Sequence, residues 1–468
     1  MLFNSFPFLW LVLITFFLYY VRRLSMYQVH ILIASSLFFY AYNNPILLIL
    51  LLISSGINIL TSYYVVYGNQ KRRKLNAIIG VVSNLLVLAF FKYSPLFSKT
   101  FLEIGSSFSE FLINIPLPIG ISFFTFQGIS LMIDVFSQKY FKSKDIVSIC
   151  IFTHAKKTLF FIAFFPQLIA GPIIKAHDFL PQINIKQLKD INWQLAFKNL
   201  VLGYFFKMVI ADNLKDFTFW IAFPYFQGYS AMNLISMLIG YSCQIFADFA
   251  GYSLIAIGLA QLFGYNLGIN FNFPYISSSF KEFWKRWHIS LSSFLMEYLY
   301  IPLGGNKKGK YRTYINLMIT MLLGGLWHGA AWSYAVWGGF HGFVLALERF
   351  LTGKIKIKSN IVFVFIKRIM VFVFVTFAWL LFKLPEFSHV MDFMKTIFRS
   401  NSLSFDWSLC LNIFLYSFPI FLYHGFYLIK DKEYFKVVRK YEYLIYGFLL
   451  FLILTNSGSS GSFIYFQF

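Results

Sequence analysis

Acidic side chains are scarce in this sequence. Asp and Glu together number 18 in 468 residues, and all charged types make up only 12%. Soluble domains carry about 25%, so a water-soluble globular protein is excluded. The three cysteines, Cys150, Cys243 and Cys410, share no CxxC or CxxH spacing. That argues against a disulfide framework or a zinc site and leaves them as small apolar side chains; no metal is expected. No long polar block divides the chain, which reads as one membrane domain over residues 1–468. A phosphate loop of the Gly-x4-Gly-Lys-Ser/Thr order is missing. The halves show no internal repeat, the usual mark of a secondary transporter.

What is present is apolar and basic. Hydrophobic residues make up 59% and aromatics 22%, with 62 Phe, and 40 Lys and Arg give a net charge of +22. A disordered polycation would lack the aromatics. A nucleic-acid-binding protein could be this basic but not this apolar, so no nucleic-acid partner is expected. The remaining class is an all-α polytopic integral membrane protein, with excess Lys and Arg in cytoplasmic loops. At roughly 20 residues per span, the apolar runs predict roughly eleven transmembrane helices plus re-entrant and interfacial pieces.

The apolar run Met1–Tyr20 is followed, not preceded, by Arg22-Arg23. A cleavable signal peptide has the opposite order, so the run reads as a retained first span. Basic breaks then recur at every second boundary: Arg22-Arg23, Asn69–Lys74 and Gln138–Asp145. The positive-inside rule reads this as an outside N-terminus through about residue 145. Beyond it Thr158–Ile174 is apolar but ends at Gly171-Pro172, and either spans or re-enters. Further helical segments are read at Leu195–Ile210, Ala231–Phe263, Tyr314–Ala331, Val336–Phe350, Ile361–Phe382, Leu409–Ile429 and Tyr443–Thr455.

Asn270–Gly342 holds five of the ten Trp and three of the eight His. Ser279 and Glu282 form a capping-box pattern. Helical spacing puts Phe280, Phe283, Trp284 and Trp287 on one face, and Lys281, Lys285 and His288 on another. This reads as a helix lying on an anionic membrane surface, in preference to a basic face for an anionic substrate. Leu303–Gly309 follows as a glycine-rich basic turn. His328 then stands in Gly-Gly-Leu-Trp-His-Gly-Ala-Ala, near the end of an apolar span. An ionisable group at membrane depth points to function, and imidazole suits acid–base work. A structural histidine bonded between helices fits the same pattern.

These residues also carry a resemblance. Phe165–Ile173 (FPQLIAGPI), Asp248–Ser253 (DFAGYS), Asn272–Ile276, Phe283–Ser292 (FWKRWHISLS), Tyr300–Asn306 and Gly325–Trp332 (GLWHGAAW) resemble blocks of the membrane-bound O-acyltransferase (MBOAT) family. The likeness is to its bacterial alginate O-acetylase and peptidoglycan O-acetyltransferase branch, and it spans nearly the whole chain. It implies that His328 is the catalytic histidine and His288 the second signature histidine, structural or lining the donor tunnel. Trp327, Asp248 and His341 become tunnel or supporting candidates, with packing the other reading of His341. Lys281, Lys285 and Arg286 would face the donor. The C-terminal Phe463–Phe468 resembles a short motif whose tyrosine takes the acyl group as a relay, which makes Tyr465 a candidate acyl carrier.

The resemblance implies transfer of an acyl group, as acetyl, from acetyl-CoA or an acyl carrier on the cytoplasmic side. No bound cofactor is expected. A periplasmic or extracellular esterase-like partner would place the group on an envelope polysaccharide, and the setting would be a bacterial inner membrane with its lipids. Within the class, D-alanyl transfer to teichoic acid is the alternative. Outside it, the rivals are a glycan or lipid transporter and a non-catalytic scaffold.

Overall fold

A computed structural model describes the chain except for residues 104, 169–170, 353–359, 400–403, 430–439, 460 and 462–468. Tyr465 therefore lies outside the described residues. Among the described residues the chain is helical and has no strand. Seven helices are long and apolar enough to cross a membrane, and three shorter apolar helices, Phe6–Tyr20, Ile121–Ser137 and Glu442–Thr455, accompany them.

The side-chain pattern is that of a protein in lipid. On the helix Pro45–Tyr67, Ile46, Ile49, Ile53 and Leu60 are outward and about half exposed or more. Ser54, Ser55, Asn58 and Ser62 are buried. With hydrocarbon outside, apolar residues can face outward while small and polar ones join helices. Asn58 and Asn84 exchange amide hydrogen bonds of 3.2 and 2.8 Å. The start of this helix is set locally: Asn44 accepts from the Ile46 N–H and Pro45 occupies its first position, where a missing donor costs nothing.

Two compact units divide the chain. The first comprises residues 1–200 and 254–268, the second 201–253 and 269–468. In the first, the run at Thr158–Ile174, read as either spanning or re-entering, re-enters. The helix Ile151–Ala163 has 13 residues and stops inside that run. The chain then returns to the end it left: the His177 ring stacks on Tyr140 at 3.8 Å, and its Nδ1 lies 2.8 Å from Asp134.

The second unit is built around an antiparallel pair, Gly309–His328 and Trp332–Thr352. These backbones touch because two glycines face each other. A Cβ on Gly325 would lie 2.2 Å from the Tyr334 carbonyl oxygen and 2.9 Å from Gly338 Cα; one on Gly338 would lie 2.2 Å from the Met321 oxygen. Close approach through small residues is how such pairs gain van der Waals contact in lipid. Gly325→Val should force the helices apart and cost about 1–3 kcal/mol, the usual penalty of overpacking. A thermal midpoint unchanged from wild type would show that the pair is not this tight.

Candidate functional site

His328 closes the first helix of that pair, and Gly329 follows it in extended backbone. A side chain at 329 would run into the Tyr334 ring at 2.2 Å, so glycine keeps the turn below His328 open. The imidazole is 3% exposed. Trp327, Trp337 and Phe382 surround it with ring centroids 5.2, 5.2 and 5.0 Å away. Phe382 and Tyr334, themselves 5.0 Å apart, are also part of the wall of a cavity of about 610 Å³. One aromatic ring thus separates His328 from the cavity.

His288 is fully buried, and this corrects the helical reading of its neighbourhood. The helix Phe280–Arg286 ends one residue before Trp287, and His288 takes φ +43°, in the left-handed region. The chain therefore turns, and His288 does not share a basic face with Lys281 and Lys285. The predicted surface helix is also corrected. Phe283 and Trp287 are 1% and 2% exposed, packed against His341 and Trp379 with ring centroids at 6.2 and 4.9 Å. The aromatic stripe belongs to the protein interior, not to lipid.

The cap is as read in part. Ser279 accepts from the Glu282 N–H at 3.0 Å, but Glu282 reaches back to Ser278, at 2.8 and 2.9 Å. Burial raises the Glu282 pKa, but the Ser278 donors and Arg286 outweigh it and hold the carboxyl below its ordinary value. Arg286 is committed to Glu282 at 2.9 Å and to the Asn272 carbonyl at 3.0 Å. Lys281 and Lys285 are exposed.

Asn270 was not singled out in the sequence, yet it organises His288. Its Oδ1 accepts from the Ser290 backbone N–H at 3.2 Å and from Ser290 Oγ at 2.8 Å. The same oxygen lies 3.1 Å from His288 Nδ1. An oxygen pinned by a backbone donor cannot donate, so this network assigns the proton to His288 Nδ1 and the lone pair to Nε2. Trp327 packs against both histidines, 6.0 Å from His288 and 5.2 Å from His328. His341 has other partners. Its Nδ1 accepts from the Trp284 indole N–H at 3.3 Å, and its ring packs 4.6 Å from Trp337, a packing position.

Asp248 is held by an unforeseen partner. Lys207 Nζ lies 2.8 Å from Asp248 and 2.7 Å from Asp212, and all three side chains are at most 5% exposed. Lys207 sits in a π-helical turn, Phe205–Ala211. With hydrogen bonds spaced five residues apart, positions 207 and 212 come onto one side. Gly251, one turn from Asp248, lets the backbones meet, since a Cβ there would lie 2.9 Å from the Gly203 oxygen and the Lys207 nitrogen. All three charged residues line the cavity that Phe382 bounds. Asp212 carried no motif in the sequence; the missed signal was two charges five apart inside an apolar run. No group of three or more His, Cys, Asp or Glu side chains among the described residues could hold a metal ion.

Comparison with known proteins identifies the family. The sequence model of the membrane-bound O-acyltransferase family (MBOAT) matches residues 152–391. The peptidoglycan O-acetyltransferase of Helicobacter pylori is 34% identical over 80% of this chain and 74% of its own length. The "Probable alginate O-acetylase" of Pseudomonas aeruginosa is 37% identical over 75% of this chain and 66% of its own. A teichoic acid D-alanyltransferase of Bacillus subtilis is more distant, 27% identical over 58% of this chain and 70% of its own.

Proposed function

The chain belongs to the membrane-bound O-acyltransferase family, and from that premise we propose that it passes acetyl groups across a bacterial inner membrane for O-acetylation of an envelope polysaccharide. The single observation that carries the assignment of the reaction centre is His328: a buried imidazole, one aromatic ring from a 610 Å³ cavity.

We infer the direction from a span count that takes the N-terminus as outside. With the N-terminus outside, the helices at 6–20, 28–41, 45–67, 73–101 and 121–137 end inside, at the basic stretch 138–145. The Tyr140–His177 stack returns residues 151–177 to that same side. The span Trp193–Ile221 then emerges outside. Residues 219 and 222, at the end of that span, border the cavity, and on this count we read the cavity as facing outward. Lys281 and Lys285 and the turn at 303–309 would serve a donor on the inside, acetyl-CoA or an acyl carrier.

In the reaction, a hydroxyl oxygen attacks the acyl carbon of the donor thioester. Its proton passes to the His328 imidazole, the carbon–sulfur bond breaks, and the leaving thiolate takes the proton. His288, with its lone pair on Nε2, is the group we assign to orienting the thioester. Tyr465 supplies the outside hydroxyl that carries the acetyl group to an esterase-like partner. Peptidoglycan and alginate are the polymers on which the similar proteins act by name.

The test is to label cells with acetate or with D-alanine and follow the label into the envelope polymer. Acetate label that depends on this protein supports the reading. D-alanine label in its place would make the chain a D-alanyltransferase like the Bacillus protein.

A further inference from the structure

Three lysines border the cavity, Lys207, Lys215 and Lys383, and two of them face carboxylates. Lys207 is held by Asp212 and Asp248, and Lys215 lies 3.9 Å from Asp216. Lys383 is partly buried and has no such partner. Its Nζ lies over the Tyr241 ring, 5.3 Å from the centroid, and among the described residues it makes no ion pair or hydrogen bond. A ring face attracts an ammonium far less than an anion does, and a charge withdrawn from water is costly until it is paired.

Gln244 borders the same cavity and is 7% exposed. Thr218, which is not part of the wall, donates to Gln244 Oε1 at 2.5 Å. That bond assigns the amide: its oxygen turns away from the cavity and its N–H groups turn toward it. Among the described residues nothing accepts from them, and a buried donor without an acceptor marks a place for a ligand. Tyr241 and Gln244 stand three positions apart on the helix Ala231–Leu262, so they share a face. The ammonium over Tyr241 and the amide of Gln244 therefore converge, and two donors side by side suit the two oxygens of one carboxylate.

The wall also sets the ligand's charge and size. Its three Lys and three Asp cancel, so a phosphate dianion would meet carboxylates with no surplus of cations, whereas a single carboxylate pairs with Lys383. A volume of about 610 Å³ suits a compact organic molecule and far exceeds acetate. Phe219, Tyr334 and Phe382 add aromatic surface, on which the C–H faces of a sugar ring can pack. We propose that Lys383 and Gln244 are the seat of a sugar carboxylate, so that the saccharide unit held at this cavity is an acidic one. This rests on the acyltransferase reading and deepens it: the carboxylate anchors the polymer at the outward cavity, one aromatic ring from His328, where the partner takes the acetyl group. The same chemistry has two sources, a uronate and the lactyl carboxylate of a muramic acid unit. Lys383 and Gln244 select the ligand, and the covalent step stays at His328.

The test is calorimetric binding to the full chain in lipid nanodiscs. The probes are an oligomer of hexuronic acid, a disaccharide containing N-acetylmuramic acid, and the carboxyl-reduced neutral form of each. Wild type should bind one of the acids about 10- to 100-fold more tightly than its neutral form, the worth of a charge-assisted hydrogen bond. The acid that binds identifies the source. Lys383→Met should bring the acid down to the neutral form and leave the neutral form unchanged, whereas Lys383→Arg, which keeps the charge, should retain the preference. Gln244→Met should weaken the acid about 3- to 10-fold, and it decides the matter with the wild-type comparison if Lys383→Met does not fold. Equal binding of acid and neutral form by wild type, or undiminished binding of the acid by Lys383→Met, overturns the proposal. Consumption of acetyl-CoA in the same preparation tests the reaction separately. A protein that consumes it through His328 and binds neither acid sinks the seat and leaves the acyltransferase. One that binds an acid through Lys383 and consumes no acetyl-CoA with any acceptor sinks the acyltransferase and leaves the seat.

Discussion

His328→Ala lowers acetylation of the envelope polymer by about 100- to 10,000-fold, the contribution of a positioned acid–base group, while the protein remains in the membrane at its normal level. The expectation rests on placement. The imidazole is buried among Trp327, Trp337 and Phe382, none of which can take a proton from a hydroxyl. His288 cannot substitute, because Asn270 and Ser290 hold it in place and Trp327 packs against it. The measurement is ester-linked acetate released from purified polymer, normalised to the amount of protein. Acetylation within about threefold of wild type would exclude His328 from the reaction and favour a scaffold, which needs no histidine at that depth.

Lys207→Met has its largest effect on the fold. It leaves Asp212 and Asp248 facing each other in the interior with no cation, at side-chain exposures of 2% and 5%. Breaking a buried pair by removing one partner costs about 3–5 kcal/mol, so the variant should unfold at much lower temperature and accumulate poorly. The cause can be separated from lost packing. Lys207→Met combined with Asp212→Asn and Asp248→Asn carries no charge at the site, and should recover most of the lost stability. A single Lys207→Met protein as stable as wild type would mean that these charges are not buried together. Activity is no guide here, because all three residues border the cavity.

The structure divides what the sequence made legible from what it hid. Spans such as Pro45–Tyr67, Ala231–Leu262 and Trp407–Ile429 were readable because long apolar runs have one stable solution in lipid. His328 was readable for the same reason: one imidazole stands out in an apolar run. His288 was seen but misplaced. Periodicity assumes that a helix continues, and nothing in Lys-Arg-Trp-His-Ile announces a left-handed residue at 288. The aromatic stripe of Phe280–Arg286 was assigned to lipid because its pattern is the same whether the apolar partner is an acyl chain or Trp379. The Lys207–Asp212 pair was hidden by geometry. In a regular α-helix positions five apart point well away from each other, and only the π turn aligns them. The span estimate of roughly eleven compares with seven long apolar helices and three shorter ones. Thr158–Ile174, which either spanned or re-entered on sequence grounds, breaks after Ala163.

The glycine contact between Gly309–His328 and Trp332–Thr352 has a consequence for the order of assembly. Three residues, 329–331, join these helices, and Gly325 meets Gly338 only thirteen positions on. Contacts so close in sequence need little loop closure and form fastest. During synthesis this hairpin emerges before Trp379 and Phe382 exist. His328 is therefore fixed at its turn first, and the aromatic wall of the chamber is added onto it afterwards. Damage near 380 should thus spoil the chamber in a chain whose hairpin has already formed, whereas damage at 325 or 338 removes the template itself.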